Sequence, residues 1–547
     1  CIAVSDSSLA RTQEEGAASG CGDDEDDVQR RIWPARRHDD FREGPLDLGR
    51  MGETGARPGG DDWLPIKFGP VSNGEFHPVP HSPFLREVIR RTHRLADDNA
   101  RRLGITRRQF LTGATGAAAT LFVLGACSKE ESSGRGESPG GRFGVSEEAT
   151  TDTSAALEDL GGEEFIFDVQ THYVNYDLGG VEGDWTGMFP QAQCAEGESG
   201  GDTRACFTAD AYFREVFVRS DTSMSILSAL PTPELQLAPD DMVYAIDVAS
   251  RIGCDGRVLM HGGAYPHRGP IEAALMGMSD LRERYDIAAW KIYTMTPSDA
   301  HFYFDDHDPD RPQIGQRFID HVREIGPPII CTHKGISSIV GSTPELASPS
   351  DIGPAAARNP DVSFVVYHSG FEPGGGGTGP YDPDDPAPQG VDRLIRSLQE
   401  AGVEPNANVY AELGGTWWFV MRDPTAAAHT LGKLLAYVGQ DRVVWGTDSI
   451  WFGTPQDQIQ AMRTFQISEE LQERHGYPAL TDELRAKIFG LNSAALYGVE
   501  PLTGRCDLSP EDVEAIRASL PPAPTYGPTT YAEAAAMISA HQGGQLA

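Results

Sequence analysis

Six short apolar runs in this sequence end on, or just before, residues able to bind a cation or move a proton. His172 follows FIFDVQT, and Lys291 sits in AAWKIY. His333 ends PPIICTH, and His368 ends VSFVVYH. Glu412 lies in NVYAEL, and Asp448 ends RVVWGTD. Imidazole and carboxylate groups are the usual ligands of a divalent ion and the usual proton carriers at neutral pH. At any one of these positions a satisfied structural residue would be unremarkable. Ionisable groups inside apolar runs cost several kcal/mol unless paired or metal-bound, so six of them point to a shared site.

The first run adds a detail. Along a strand, side chains alternate in direction, so Asp168, Gln170 and His172 share one side. Gln170 and His172 can then face the same cavity. A neutral amide oxygen is a weak ligand for Zn²⁺ beside imidazole or carboxylate. Gln170 therefore predicts weaker metal binding, a harder ion, or a site that has become a binding site alone.

The elements that would position these residues repeat. Apolar runs occur at 165–170, 223–230, 257–262, 287–293, 327–333, 362–368, 407–413 and 442–448. Amphipathic segments such as RFIDHVREIG and GVDRLIRSLQEAG lie between them. Continuous apolar strands alternating with helices imply a parallel sheet covered by helices. Eight such units predict a (β/α)₈ barrel over residues 161–505, with the active residues on the rim at the C-terminal strand ends. A doubly wound open sheet is the alternative. No GxGxxG follows the first strand, which argues against it.

The flanks read differently. Residues 1–83 are rich in Asp, Gly, Pro and Arg without an apolar period, and are expected to be disordered. The chain begins with Cys1, and Met51 offers an alternative start. Residues 84–110 form a basic segment running into Arg107-Arg108-Gln109-Phe110-Leu111, followed by an uncharged stretch ending LFVLGAC at Cys127. A basic region before a short apolar run is the pattern of an export signal. The Arg pair resembles a twin-arginine signal, and Leu124-Gly125-Ala126-Cys127 resembles a lipobox with Cys127 as the lipid attachment point. That resemblance implies an exported lipoprotein held to a membrane by its lipid alone. Residues 128–160, rich in Gly, Ser and Glu, read as a flexible tether, and 506–547 as a C-terminal extension.

The formal net charge is −36, nearly all of it carried beyond residue 127. Such a surface suits solubility and argues against nucleic acid or anionic lipid as a partner. None of the 8 cysteines forms a CxxC pair, so no cysteine zinc cluster is indicated. Cys194 and Cys206 flank a Gly-rich stretch whose spacing suits a disulfide in an exported protein, with two free thiols as the alternative.

The site residues resemble the amidohydrolase superfamily, in its amidohydrolase-related branch of metal-dependent hydrolases and aminocarboxymuconate-semialdehyde-type decarboxylases. The branch places His-x-His after strand one, His after strands five and six, and Asp after strand eight. Here those positions read Gln170-Thr171-His172, His333, His368 and Asp448, with Lys291 at strand four. The segment Lys487-Ile-Phe-Gly-Leu-Asn492-Ser-Ala-Ala-Leu-Tyr497 is similar to the branch's closing helix. The resemblance implies a divalent metal, Zn²⁺ first, on His172, His333 and Asp448, with Gln170 and Lys291 as further ligands. It implies Asp448 as proton acceptor, His368 as ligand of a second metal or as proton shuttle and electrophile, and Glu412 as a substrate-side or supporting group. A small-molecule substrate, hydrolysis of a C–N or C–O bond, and decarboxylation as the alternative follow from it. A homo-oligomer is compatible with it.

Overall fold

The computed structural model describes residues 64–69, 81–175, 206–231, 237–251, 253–295, 301–337 and 344–502. A short strand, β1 (Gly141–Phe143), precedes eight parallel strands in consecutive order. These are β2 (Phe167–Thr171), β3 (Met224–Leu227), β4 (Val258–Gly263), β5 (Ile287–Tyr293), β6 (Ile329–His333), β7 (Ser363–Tyr367), β8 (Val409–Glu412) and β9 (Val443–Val444). A tenth strand, β10 (Phe465–Ile467), pairs antiparallel with β1. The barrel closes where Val169 N donates to Trp445 O at 3.1 Å and Thr171 bridges Ser449 in parallel. All eight expected strands are present, and the fold is the expected (β/α)₈ barrel.

Each covering helix follows from its apolar spacing. In Val391–Ala401 the buried Val391, Leu394, Ile395 and Leu398 recur at helical intervals, and Gly402 ends the helix at φ 68°. Burying one such leucine stabilises by about 1.5–3 kcal/mol. Inside the barrel, Phe167, Val169, Met224, Ile226, Ala289, Cys331, Val365, Tyr367 and Val444 pack into one apolar cluster. That floor leaves only the C-terminal rim for polar chemistry.

The N-terminal region departs from expectation. Within the segment expected to be disordered, Leu64, Ile66 and Phe68 are buried. Lys67 anchors them, its backbone N and its Nζ each bonding Asp457, at 2.9 and 2.8 Å. Phe68 O accepts from Arg422 at 2.8 Å. Three apolar residues in six are too few to show a period, which hid this contact. The basic segment is a helix, Pro83–Leu103, capped by Ser82 and started by proline. The uncharged stretch lies in the helix Ala114–Gly134, which packs against Pro83–Leu103, Thr153–Leu160, β1 and Pro424–Lys433. It is buried over most of its circumference. A helix apolar on all sides needs such a covered position. Cys127, the expected lipid attachment, lies inside this helix as a buried free thiol.

The expected tether 128–160 is likewise corrected. It holds the end of that helix, then β1, then the helix Thr153–Leu160. Its glycines permit close packing: a Cβ on Gly141 would lie 2.5 Å from the Phe465 ring and from Pro424 O. Among the described residues no helix is long and apolar enough to cross a membrane. Cys206 and Cys254 are both disulfide-bonded. Cys194, the expected partner of Cys206, lies outside the described residues, as do 1–50 and 506–547.

Candidate functional site

The rim of the barrel gathers the expected residues in two adjoining groups. The first joins β2 to the segment after β9. Asp448 stands at φ 59°, a left-handed conformation that turns its carboxylate inward. Gln170 Nε2 donates to Asp448 Oδ1 at 3.0 Å, and His172 Nε2 lies 3.4 Å from the same oxygen. His172 stacks on Trp451 with centroids 5.3 Å apart. All three residues are buried.

The second group joins β6, β7 and β8. His333 Nδ1 and His368 Nε2 are 3.1 Å apart. His368 Nδ1 lies 2.7 Å from Gly414 O. Glu412 accepts from His368 N at 3.0 Å and from Gly414 N at 2.5 Å. The two groups act on one another electrostatically. Asp448, His172 and Lys291 each shift the titration of His368.

The proton positions follow from the partners. A carbonyl oxygen only accepts, so His172 carries its proton on Nδ1 toward Ser228 O, 2.9 Å away. His368 likewise carries its proton on Nδ1 toward Gly414 O. Burial holds His368 down to about 4 and His333 well below its usual value, so both rings are neutral near pH 7. His368 Nε2 is then a bare acceptor for His333 Nδ1–H, and His333 is left with a bare Nε2. Asp448 is pushed up by burial. Its neighbours His172, His368 and Lys291 outweigh that and hold it below the usual carboxylate value. Glu412 is pushed up to about 8 by burial.

These facts test the metal. Two ligands of a tetrahedral ion with 2.0–2.2 Å bonds stand roughly 3.3–3.6 Å apart. The 3.4 Å between His172 Nε2 and Asp448 Oδ1 matches that edge, and the carbonyl on His172 Nδ1 is the usual support of a ligating imidazole. The donor chemistry of His172, Asp448 and His333 therefore fits a divalent ion. Among the described residues, however, no group of three or more His, Cys, Asp or Glu is drawn together to hold one.

Three of the expected residues show their partners here. Gln170 turns its NH₂ to Asp448, because a carboxylate can only accept. Its Oε1 is buried without a hydrogen-bond partner beside Gly414, and its Nε2 orients Asp448. Lys291, expected near the metal, places Nζ 3.5 Å from the Tyr367 ring centre, where the ring face receives its charge. Glu412, expected as a substrate-side or supporting group, has both oxygens engaged by main-chain N–H groups. It supports the backbone of His368.

Two residues escaped the sequence reading. Asp168 Oδ1 accepts from Thr447 N and Gln170 N, both at 3.1 Å, bracing the segment that carries Asp448. Burial pushes its carboxyl up to about 7. Its alternation with Gln170 and His172 was the available signal. His261 in β4 lies buried 3.3 Å from both Ser228 Oγ and Tyr497 OH. Its run, RVLMHG, carries the same mark as the others, a histidine at the strand end.

The buried histidines set an acid limit. Burial lowers His368, His267 and His429 each to about 4. A depressed histidine stabilises the fold above its unfolded value near 6.5, and that stability is lost as pH falls toward 4. The thermal midpoint of metal-free protein is expected to fall steadily between pH 6.5 and 4. A flat profile over that window contradicts the burial of these rings as neutral groups.

The sequence pattern of the family described as Amidohydrolase (Amidohydro_2) matches residues 168–499. No curated protein matches the chain. Several solved structures are similar at low identity. A 2,6-dihydroxybenzoate decarboxylase from Rhizobium is 14% identical, with 61% of this chain and 99% of that one covered, at a TM-score of 0.36. A putative 2-pyrone-4,6-dicarboxylic acid hydrolase from Pseudomonas putida is 13% identical, with 62% and 98% covered, at 0.35. A dihydroxybenzoic acid decarboxylase from Polaromonas sp. JS666, solved with bound manganese, is 13% identical, with 61% and 97% covered, at 0.34. The family pattern spans more than half of the sequence and includes every rim residue described above, and on that match the chain belongs to the amidohydrolase family.

Proposed function

We propose that this protein is a metal-dependent hydrolase of a C–N or C–O bond in a small molecule. The observation that carries the reading is the His172–Asp448 pair, spaced as two ligands of one ion and steadied by Gln170 and Ser228 O. His172, Asp448 and His333 are the residues that would hold the metal. A bound divalent ion, Zn²⁺ first, would supply Lewis acidity toward a substrate oxygen.

The chain's own residues supply the rest. Asp448 is ionised at neutral pH and is the natural proton acceptor at the mouth. His333 and His368 are neutral and joined by one hydrogen bond, which sets the two rings against each other at the rim. Trp451, stacked on His172, shields the pair from water. The reading is tested with a panel of esters, amides, lactones and aromatic carboxylates on metal-supplemented protein. Acid or amine release without CO₂ is the expected product pattern. CO₂ release from an aromatic carboxylate would replace hydrolysis by the lyase alternative.

Export behind the Arg107-Arg108 signal, with a lipid on Cys127, is a separate proposal resting on the sequence. Processing before Cys127 would strip away the helix Pro83–Leu103 and most of the apolar stretch. Replacing Arg107 and Arg108 with Lys is expected to keep the protein in the cytoplasm, read by fractionation. Unchanged export of that variant removes the twin-arginine reading.

A further inference from the structure

The loop that carries Asp448 is gripped from outside the barrel. It runs over residues 448–455 and enters the helix Gln456–Thr464. Its near half belongs to the site. His172 N donates to Ser449 O at 2.6 Å, and Trp451 lies on the His172 ring. Its interior is tightly turned, with Trp451 N donating to Asp448 O at 3.3 Å and Gly453 N to Ile450 O at 2.9 Å. A loop so braced passes a grip on its far end to Trp451. The helix start beyond it is fixed by Gln456 and Asp221, which exchange bonds of 2.8 and 2.9 Å.

The segment 64–69 takes the far end of the loop by two routes. Lys67 Nζ donates to Thr454 O and to Asp457 Oδ1, both at 2.8 Å, while Lys67 N donates to Asp457 Oδ2 at 2.9 Å. This pair is nearly closed to water, with the side chains of Asp457 and Lys67 2% and 16% exposed. A charge-assisted bond in such a place holds more firmly than one on the surface. The second route starts at Phe68 O, which accepts from Arg422 at 2.8 Å. The Arg422 guanidinium lies 4.3 Å from the Trp418 ring centre, and Trp418 stacks on Phe452 with centroids 4.6 Å apart. The buried Leu64, Ile66 and Phe68 keep the segment in place.

We infer that segment 64–69 is a clamp on the site, and that Lys67 is a positioning residue acting through Thr454 on Trp451 and so on the face of His172. The inference rests on the metal reading above only for its effect on ion binding. The placement of Trp451 holds whether or not an ion binds. Cleavage before Cys127 would carry the clamp away and leave Trp451 held by the barrel alone.

The test uses the full chain labelled with 5-fluorotryptophan, with Trp451→Phe assigning its ¹⁹F resonance, beside hydrogen exchange read by mass spectrometry. In the wild type the amides of 448–456 are expected to be protected although they lie in a loop, and rapid exchange there overturns the clamp. Lys67→Met keeps the apolar stem and removes the ammonium. It is expected to raise exchange at 448–456 by at least about tenfold, the scale of one charge-assisted hydrogen bond in a local opening. It is expected to leave β7 unchanged and to shift the Trp451 resonance. Zn²⁺ affinity, measured by competition with a chelator, is expected to fall about 2–30-fold, the span of couplings carried by residues outside a site. Lys67→Met with Asp457→Asn leaves neither charge without its partner, so it provides the same readings if the single variant does not fold. Unchanged exchange at 448–456 or an unmoved Trp451 resonance in whichever variant folds overturns the clamp. So does a rise shared equally by β7, which marks a general loss of stability. Zn²⁺ affinity retained in a variant, where the wild type binds the ion, overturns the role of Lys67 at the site. If wild-type protein takes up no Zn²⁺ while the loop and Trp451 respond as expected, the clamp stands and the metal reading fails.

Discussion

Replacing Asp448 with Asn is expected to lower turnover by about 10²–10⁴-fold, the range lost when a positioned proton acceptor is removed. The carboxylate is the one group that both Gln170 Nε2 and His172 Nε2 face, at 3.0 and 3.4 Å. Asn tolerates the left-handed backbone at φ 59°, so the fold should survive the change. The variant keeps one acceptor oxygen for Gln170 but cannot take a proton. Steady-state rates beside a thermal melt separate the two effects. A variant that melts like the wild type and still turns over at more than a tenth of its rate contradicts the assignment.

The largest effect on stability is expected beside the site. Lys334 follows His333 and is fully buried with Asp351, its ammonium 2.9 and 3.0 Å from the two carboxylate oxygens. Lys334 Nζ also donates to Leu346 O at 2.8 Å, and Asp351 Oδ2 accepts from Phe304 N at 3.0 Å. Asp351→Ala leaves the ammonium buried without its counter-charge, which destabilises by about 3–5 kcal/mol. Lys334→Met with Asp351→Leu removes both charges and should recover most of that loss. Chemical denaturation of the single and double variants decides it. A single variant within 1 kcal/mol of wild type, on the scale expected for an exposed pair, would show that the pair is hydrated.

The barrel was legible because its signal is long-range and redundant. Eight apolar runs, each ending in a turn, leave little freedom in a parallel sheet, and the rim residues fall at the strand ends by the same spacing. What lay on the rim was legible by type but not by role. Gln170 reads as a weakened ligand, yet its amide faces Asp448, a fact set by Asp448's backbone 278 positions away. Glu412 reads as either a substrate contact or a support, and only the main-chain N–H groups of the turns after β7 and β8, which both its oxygens meet, separate the two. The N-terminal segments are legible in two ways. An alanine-, glycine- and leucine-rich stretch beside an Arg pair has the composition of a leader. The same composition suits a helix covered over most of its circumference, as the apolar part of Ala114–Gly134 is. Composition alone does not separate the two.

The central claim is that the His172–Asp448 pair, with His333, binds a divalent ion. Elemental analysis of the full chain purified without chelator, after Zn²⁺ or Mn²⁺ supplementation and dialysis, tests it most directly. The expected result is close to one bound ion per chain, lost in His172→Ala and in Asp448→Ala while both variants remain folded. A wild-type chain that stays free of metal under those conditions, or variants that retain it fully, would contradict the claim.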